Sequence, residues 1–339
     1  MNRCASWLLG ALALAGCNVF DESLFLQRAD AGADATVAPL TLAERCSGEV
    51  PLLTRTGDYA FDTSGLADDL SNLANCTGRL LPGNDGFFRV RMTEGELWHF
   101  HVRSDRTHNP AIYILPSCDE RACTGGLDEC GTGRDEHISF RARETRDYLV
   151  GLDSPLEGGG AYQLTVVRAT CGNNVLEHGE SCDDNNRASG DGCDMNCRAE
   201  LVDGAREREP NDDFSNPNTV IAAPGTTVTV QGKLGGGCDF DQYSLELPAG
   251  ARVRATMLDI NGLECGAASP EFAMSFLQTD GRTAAGTGVA TMSNRCPAIT
   301  DALPFARVAA AGTYFVRVTT ATDLATAVDY KLRFEVVAP

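Results

Sequence analysis

Lysine is almost absent: Lys233 and Lys331 are the only two in 339 residues. Basic side chains total 28 against 47 acidic ones, a formal charge of −19. A chain so acidic is a poor partner for nucleic acid, because phosphate binding needs a basic surface. Beyond the first twenty residues no apolar run is long enough to cross a bilayer as a helix. The H-E-x-x-H pattern of zinc hydrolases and the G-x-S-x-G elbow of serine hydrolases are both missing. The glycines at 158–160 have no helix after them to make a phosphate site. The expectation is a chain that is not an enzyme.

What is present points outward from the cytosol. Fourteen cysteines imply an oxidising compartment, where disulfides persist. Arg3 precedes the short apolar run Trp7 to Leu14, which ends in Leu14-Ala15-Gly16-Cys17. That ending resembles the lipobox of bacterial lipoproteins. The resemblance implies a signal peptide over residues 1–16, removed by signal peptidase II, and a covalent lipid on Cys17. Several acyl chains on one cysteine hold a protein at a membrane without a spanning helix. Residues 17–45 then read as the lipidated cysteine and a flexible tether, because 29–39 are small, polar and free of aromatics. Asn18, in place of an aspartate that retains some lipoproteins at the inner membrane, points to the outer membrane, with the body periplasmic or surface-facing.

With 43% hydrophobic residues, 35 glycines and 14 prolines, the remainder suits several turn-rich cores. Leu97-Trp98-His99-Phe100-His101-Val102 alternates as a half-buried strand does, with Trp98 and Phe100 facing a core. Further strands are predicted at Phe87 to Met92, Ala111 to Leu115, His137 to Ala142, Tyr148 to Leu152 and Tyr162 to Val167. Short strands at this spacing predict an all-β architecture, with a first β-sandwich over residues 46–168. Residues 201–339 echo it. Asp85-Gly86-Phe87-Phe88 answers to Asp241-Gln242-Tyr243-Ser244, and Tyr148 to Val166 answers to Tyr314 to Phe334. Two related β-sandwiches thus flank a small disulfide-rich repeat at 169–200, which has too few large apolar residues for a core of its own.

That middle segment runs Cys171-Gly172-Asn173-Asn174, Gly179-Glu180-Ser181-Cys182-Asp183-Asp184-Asn185-Asn186, Gly190-Asp191-Gly192-Cys193 and Cys197. It resembles the myxobacterial-type cysteine-rich repeat, an accessory module rather than a catalyst. It departs from that pattern at Asn174 and Asn185, where the family has glycine. Asparagine tolerates positive φ, so the turns are expected to survive. The last segment resembles the bacterial pre-peptidase C-terminal domain through Glu209-Pro210-Asn211-Asp212, Asp239-Phe240-Asp241-Gln242-Tyr243, Pro248-Ala249-Gly250 and Gly312 to Val318. The first sandwich resembles it more distantly and lacks the Glu-Pro-Asn-Asp entry. Both resemblances imply a non-catalytic surface protein.

Twelve cysteines remain once Cys4 is lost and Cys17 is lipidated. Cys46, Cys76, Cys118, Cys123 and Cys130 lie in the first sandwich. Cys171, Cys182, Cys193 and Cys197 lie in the repeat, and Cys238, Cys265 and Cys296 in the last segment. The repeat can close on itself in three ways. The odd counts either side require a bridge between sandwiches or a free thiol in each. Local bridges are expected for Cys46–Cys76 and Cys265–Cys296, with Cys130 joined to Cys118 or Cys123. Zinc is disfavoured, since the Cys118, Cys123, Cys130 spacing departs from structural knuckles.

Calcium is the expected cofactor, because carboxylate and amide oxygens suit a hard cation. One candidate set is Asp183, Asp184, Asn186, Asp191 and Asp194 in the repeat. The other is Glu209, Asn211, Asp212, Asp239 and Asp241, positions that resemble the calcium-chelating entry of collagen-binding relatives. Turn formation competes with both. His99 and His101 are expected on a solvent-facing strand edge, with His108, His137 and His178 isolated. The function expected is binding or adhesion to extracellular protein or polysaccharide. A ligand-free envelope spacer and an accessory subunit of a secreted hydrolase are the alternatives.

Overall fold

The computed structural model describes residues 37–339, except 72–73, 105–106, 119–122, 129, 213, 236–238, 267–268, 292–293, 321–323 and 325. The expected signal peptide, Cys17, the expected tether up to residue 36 and Cys238 therefore lie outside the described residues. No helix among the described residues is long and apolar enough to cross a membrane. The fold is all-β, with several sheets paired into sandwiches.

The first sandwich stacks two sheets. One has the order β1 (Ala38–Pro39), β3 (Gly57–Asp62), β10 (Ala161–Ala169), β5 (Leu97–Ser104) and β8 (Glu136–Arg141). The other runs β2 (Leu52–Leu53), β4 (Gly86–Met92), β9 (Arg146–Asp153), β6 (Ala111–Leu115) and β7 (Gly125–Leu127). Period-two alternation sends Phe88, Val90 and Met92 of β4 into the same core as Phe100 and Val102 of β5. Each such side chain, fully buried, contributes roughly 1.5–3 kcal/mol. Trp98 and Phe100 are buried as expected. The outer face of the second sheet is covered as well. Phe87, Tyr113 and Leu149 pack under Val50, Leu70 and Leu81 in a separate cluster.

The second sandwich repeats this plan. One sheet runs β13 (Thr227–Leu234), β20 (Val328–Val337), β15 (Arg252–Asp259) and β18 (Ala298–Ile299). Its partner runs β11 (Glu200–Leu201), β12 (Asn218–Val220), β14 (Asp241–Leu247), β19 (Gly312–Thr320), β16 (Phe272–Leu277) and β17 (Ala284–Thr287). With β1 and β11 set aside, the orders superpose strand for strand. β3-β10-β5-β8 matches β13-β20-β15-β18, and β2-β4-β9-β6-β7 matches β12-β14-β19-β16-β17. The unusual parallel pair recurs too, β2 with β4 and β12 with β14. The sequence echo is thus a repeated topology.

In the repeat, Cys171 pairs with Cys197 and Cys182 with Cys193. Asn174 and Asn185 adopt φ of 64° and 67°, the left-handed turns the resemblance required. Cys182, Cys193 and Cys197 join the core of the second sandwich, which supplies the apolar support the repeat lacks. Cys265–Cys296 forms as expected. The local bridge Cys46–Cys76 does not: Cys46 pairs with Cys118 and Cys76 with Cys123. Both bridges tie the covering segment to the loop after β6, so they pin a lid over the outer face of the sheet. Closing loops of this length contributes on the order of 2–4 kcal/mol each. Cys130 is also disulfide-bonded, and Cys118 and Cys123 are taken by others.

Candidate functional site

The segment that leads to β12 crosses the end of β14 in extended form, and this places a carboxylate cluster inside the second sandwich. Glu207 and Glu209 are two residues apart, so an extended backbone sends both the same way. Asp241 opens β14 beside them. Ligand-capable oxygens of Glu207, Glu209 and Asp241 lie within 4.8 Å of one another. Asp241 and Asn211 are fully buried and Glu207 nearly so. Two phenols hold the floor. Tyr243 Oη donates to Glu207 Oε2 at 2.5 Å and Tyr330 Oη donates to Asp241 Oδ2 at 2.5 Å. The Tyr330 ring fits because Gly232, opposite it on β13, has no Cβ to meet it.

The cluster is electrostatically unbalanced. Burial, then its acidic neighbours, pushes the Asp241 and Glu209 carboxyls well above the usual range. Burial lifts Glu207 to about 7, against the hydrogen bonds from Tyr243 and the Lys233 N–H. Asp241 Oδ1 and Asn211 Oδ1 are buried acceptors with no donor. Like charges pressed together beside unsatisfied oxygens are what a hard cation relieves.

The expected calcium residues are used unequally. Glu209, Asn211 and Asp241 converge, and Asp239 is close enough to raise the other three carboxyls. Asp212 is diverted. Its Oδ1 accepts the Phe240 N–H at 3.3 Å and its Oδ2 meets His137 Nε2 at 2.8 Å. Glu207 was missed, although the alternation Glu207-Arg208-Glu209 carried the signal.

In the repeat the acidic residues build turns. Asp183 accepts backbone N–H bonds from Gly172, Asn173, Asn174 and Asn185 at 2.7–3.1 Å. Burial opposes its charge, but these bonds together hold its carboxyl below the usual range. Asp184 caps Asn186, Asp191 accepts the Asn186 side chain, and Asp194 accepts the N–H groups of Asn196 and Arg198. No three carboxylates gather there among the described residues.

A second acidic site sits at the equivalent end of the first sandwich. Asp85, just before β4, is fully buried and accepts the N–H groups of Asp69 and Leu70 at 3.2 and 2.8 Å. Opposite it, Asp153 accepts the Ser154 N–H, and its buried Oδ2 has no partner. Burial pushes Asp85 up to about 7 and Asp153 up to about 9. The sequence reading singled out neither as a site.

The histidine expectation is also corrected. β5 lies between β10 and β8 rather than at an edge, and His99 is 2% exposed. His137 and His178 are not isolated: the His178 ring centre lies 4.1 Å from that of His99 and the His137 ring centre 6.1 Å from that of His101. Only His108 stands apart, with Nε2 donating to the Gly159 carbonyl at 2.8 Å.

No known family matches the sequence, and no curated protein does. Among solved structures, the pre-peptidase C-terminal domain of a Bacillus anthracis collagenase is 17% identical, covering 35% of this chain and 95% of that one, at a TM-score of 0.24. The Aeromonas hydrophila periplasmic inhibitor of g-type lysozyme is 13% identical over 41% of this chain and 99% of its own, also at 0.24. The CUB1-EGF-CUB2 segment of human MASP-1/3 is 9% identical over 83% and 99%, at 0.20.

Proposed function

We propose that this chain is a lipid-anchored envelope protein of the outer membrane, periplasmic or surface-facing, that binds extracellular protein or polysaccharide without catalysis. Calcium stiffens it, held by Glu207, Glu209, Asn211 and Asp241 with Asp239 alongside. The observation that carries the calcium reading is the buried convergence of three carboxylates on acceptor oxygens that have no donor. The donor set is oxygen throughout, as a hard cation prefers. An exported protein meets enough calcium for even a weak site to fill. The lipid on Cys17 is supported by the lipobox-like Leu14-Ala15-Gly16-Cys17, and export by the disulfides.

The test is retention of the full chain, purified in detergent, on immobilised cell-surface polysaccharide and on extracellular protein, with calcium and with chelator. Saturable retention that chelator abolishes is the expected result. Folded, oxidised protein that is retained under neither condition would overturn the binding reading and leave an envelope spacer. Stoichiometric recovery of a secreted hydrolase instead would make the chain an accessory subunit.

A further inference from the structure

Four of the five histidines meet on one face. His99 and His101 are two residues apart on β5 and point to the same side of the sheet. His137 on β8 is the direct cross-strand partner of His101. His178 arrives from the cysteine-rich repeat and covers them. Ring centres are 4.1 Å apart for His99–His178, 6.0 Å for His99–His137, 6.1 Å for His101–His137 and 6.3 Å for His101–His178. Two imidazoles on one tetrahedral ion, with bonds of about 2.0–2.1 Å, hold their centres about 5 Å apart. Four of the six ring pairs are in contact at spacings that bracket that value, and no three of the ring nitrogens lie within 4.8 Å of one another. Imidazole χ2 is a broad torsion, and ring rotation is what brings the nitrogens together on an ion.

The surroundings assign the protons. Ser139 Oγ donates its one proton to the Gly179 carbonyl at 3.3 Å, so it accepts from His99 Nδ1 at 3.1 Å. That places the His99 proton on Nδ1 and a lone pair on Nε2, which is buried with no partner. His101 Nε2 donates to Asp135 at 3.0 Å and His137 Nε2 donates to Asp212 at 2.8 Å. The neutral form of either ring then carries its lone pair on Nδ1. A carboxylate or hydroxyl thus stands behind three of the four imidazoles, the kind of partner that fixes tautomer and orientation in metal sites. Burial, followed by the neighbouring histidines, holds His99 far below its ordinary value and His178 down to about 4.

We infer that His99, His101, His137 and His178 form a binding site for a divalent first-row transition metal ion, one that joins the repeat to the first sandwich. Imidazole nitrogens suit zinc, copper and nickel, whereas the carboxylate cluster of the second sandwich suits calcium. The repeat is already seated for it. The Gly179 carbonyl also accepts Asn216 Nδ2 at 3.0 Å, and Gly179 has φ of 91° with no room for a Cβ against His99. An ion would thus complete a junction built from three parts of the chain.

The experiment is calorimetric titration of the metal-stripped full chain, oxidised and in detergent, with zinc chloride at about neutral pH, and a parallel cobalt titration read by visible absorption. One zinc per chain is expected. His101→Asn and His178→Asn should each weaken it by about 100-fold or more and abolish the cobalt bands, while His108→Asn leaves both unchanged. Excess calcium should not displace the zinc. A folded, oxidised chain that takes up no zinc would overturn the site. So would uptake that is indifferent to both substitutions, or zinc displaced by calcium, which would place it on the carboxylates.

Discussion

The Arg282 guanidinium lies 4.1 Å from the centre of the Phe214 ring and donates through Nη2 to the Gly126 carbonyl at 2.8 Å. A second bond reaches the Cys76 carbonyl. Arg282 sits in the hairpin turn between β16 and β17, so one side chain of the second sandwich is clasped by the first. Arg282→Ala loses a cation–π contact worth about 0.5–2 kcal/mol and leaves two carbonyls short of a donor. Denaturant unfolding should show a loss of about 2–3 kcal/mol. Arg282→Lys should not restore it, because an ammonium lacks the planar fork. An unchanged midpoint for the alanine variant would show that the clasp does not couple the sandwiches.

Calcium should raise the melting temperature of the unsubstituted chain. At about 100 times its dissociation constant a ligand adds about 2.7 kcal/mol, or roughly 5–10 °C for a chain of this size. Asp241→Asn and Glu209→Gln should melt at the same temperature with calcium as with chelator. Asp184→Asn, in the repeat, should keep the full calcium response. A calcium response retained in both cluster variants would place the ion elsewhere.

Alkaline pH should destabilise the protein through its first sandwich. Asp85 and Asp153 have folded values of about 7 and about 9, above their unfolded value of 3.8. For a carboxyl raised in this way the folded state binds more protons than the unfolded one. Its stabilising share is complete below the unfolded value and is lost as pH climbs through the folded value. Melting should fall by on the order of 5 °C or more between about pH 5 and about pH 9, and Asp153→Asn should flatten that slope. A slope unaltered by the substitution would remove Asp153 from the account.

Cys130 is oxidised, and the five bridges described consume ten other cysteines. On the proposal that Cys4 leaves with a signal peptide and Cys17 carries the lipid, the sequence leaves Cys238 as its partner. Non-reducing peptide mapping should recover the Cys130 and Cys238 peptides joined. Alkylation of either cysteine without reduction would refute a bridge between the sandwiches.

Membrane association should depend on one sulfur. Cys17→Ser should leave the chain unlabelled by fatty acid and extractable without detergent, whereas the unsubstituted chain takes the label and needs detergent. Equal extraction of the two would replace lipid anchoring with an ordinary secretory leader.

Much was legible because it is local. Alternation located β4, β5, β6, β8, β9 and β10 to within a residue or two, since pleat and hydrophobic period are the same quantity, while the three-residue β7 is too short to show a period. Asn174 and Asn185 were readable as left-handed turns because φ is a property of one residue. Cys265–Cys296 was readable as a local bridge, but the same reasoning failed for Cys46–Cys76. There the covering segment folds over the sheet and brings more distant cysteines nearer than the adjacent ones. The alternation around His99 was correct and its consequence was not. The face predicted to meet water meets the repeat instead, a matter of tertiary packing alone.

The sequence by itself determined a disulfide-bonded character suited to an oxidising compartment, an all-β fold, two related halves and the turn chemistry of the repeat, because each depends on composition or on neighbours within a few residues. Only the tertiary structure decided that Glu207 joins Asp241, that Asp212 serves His137, and that four histidines share one face. Those juxtapositions depend on which sheet faces pack together. Packing is a sum over surfaces remote in the chain, and no local pattern of residues encodes it.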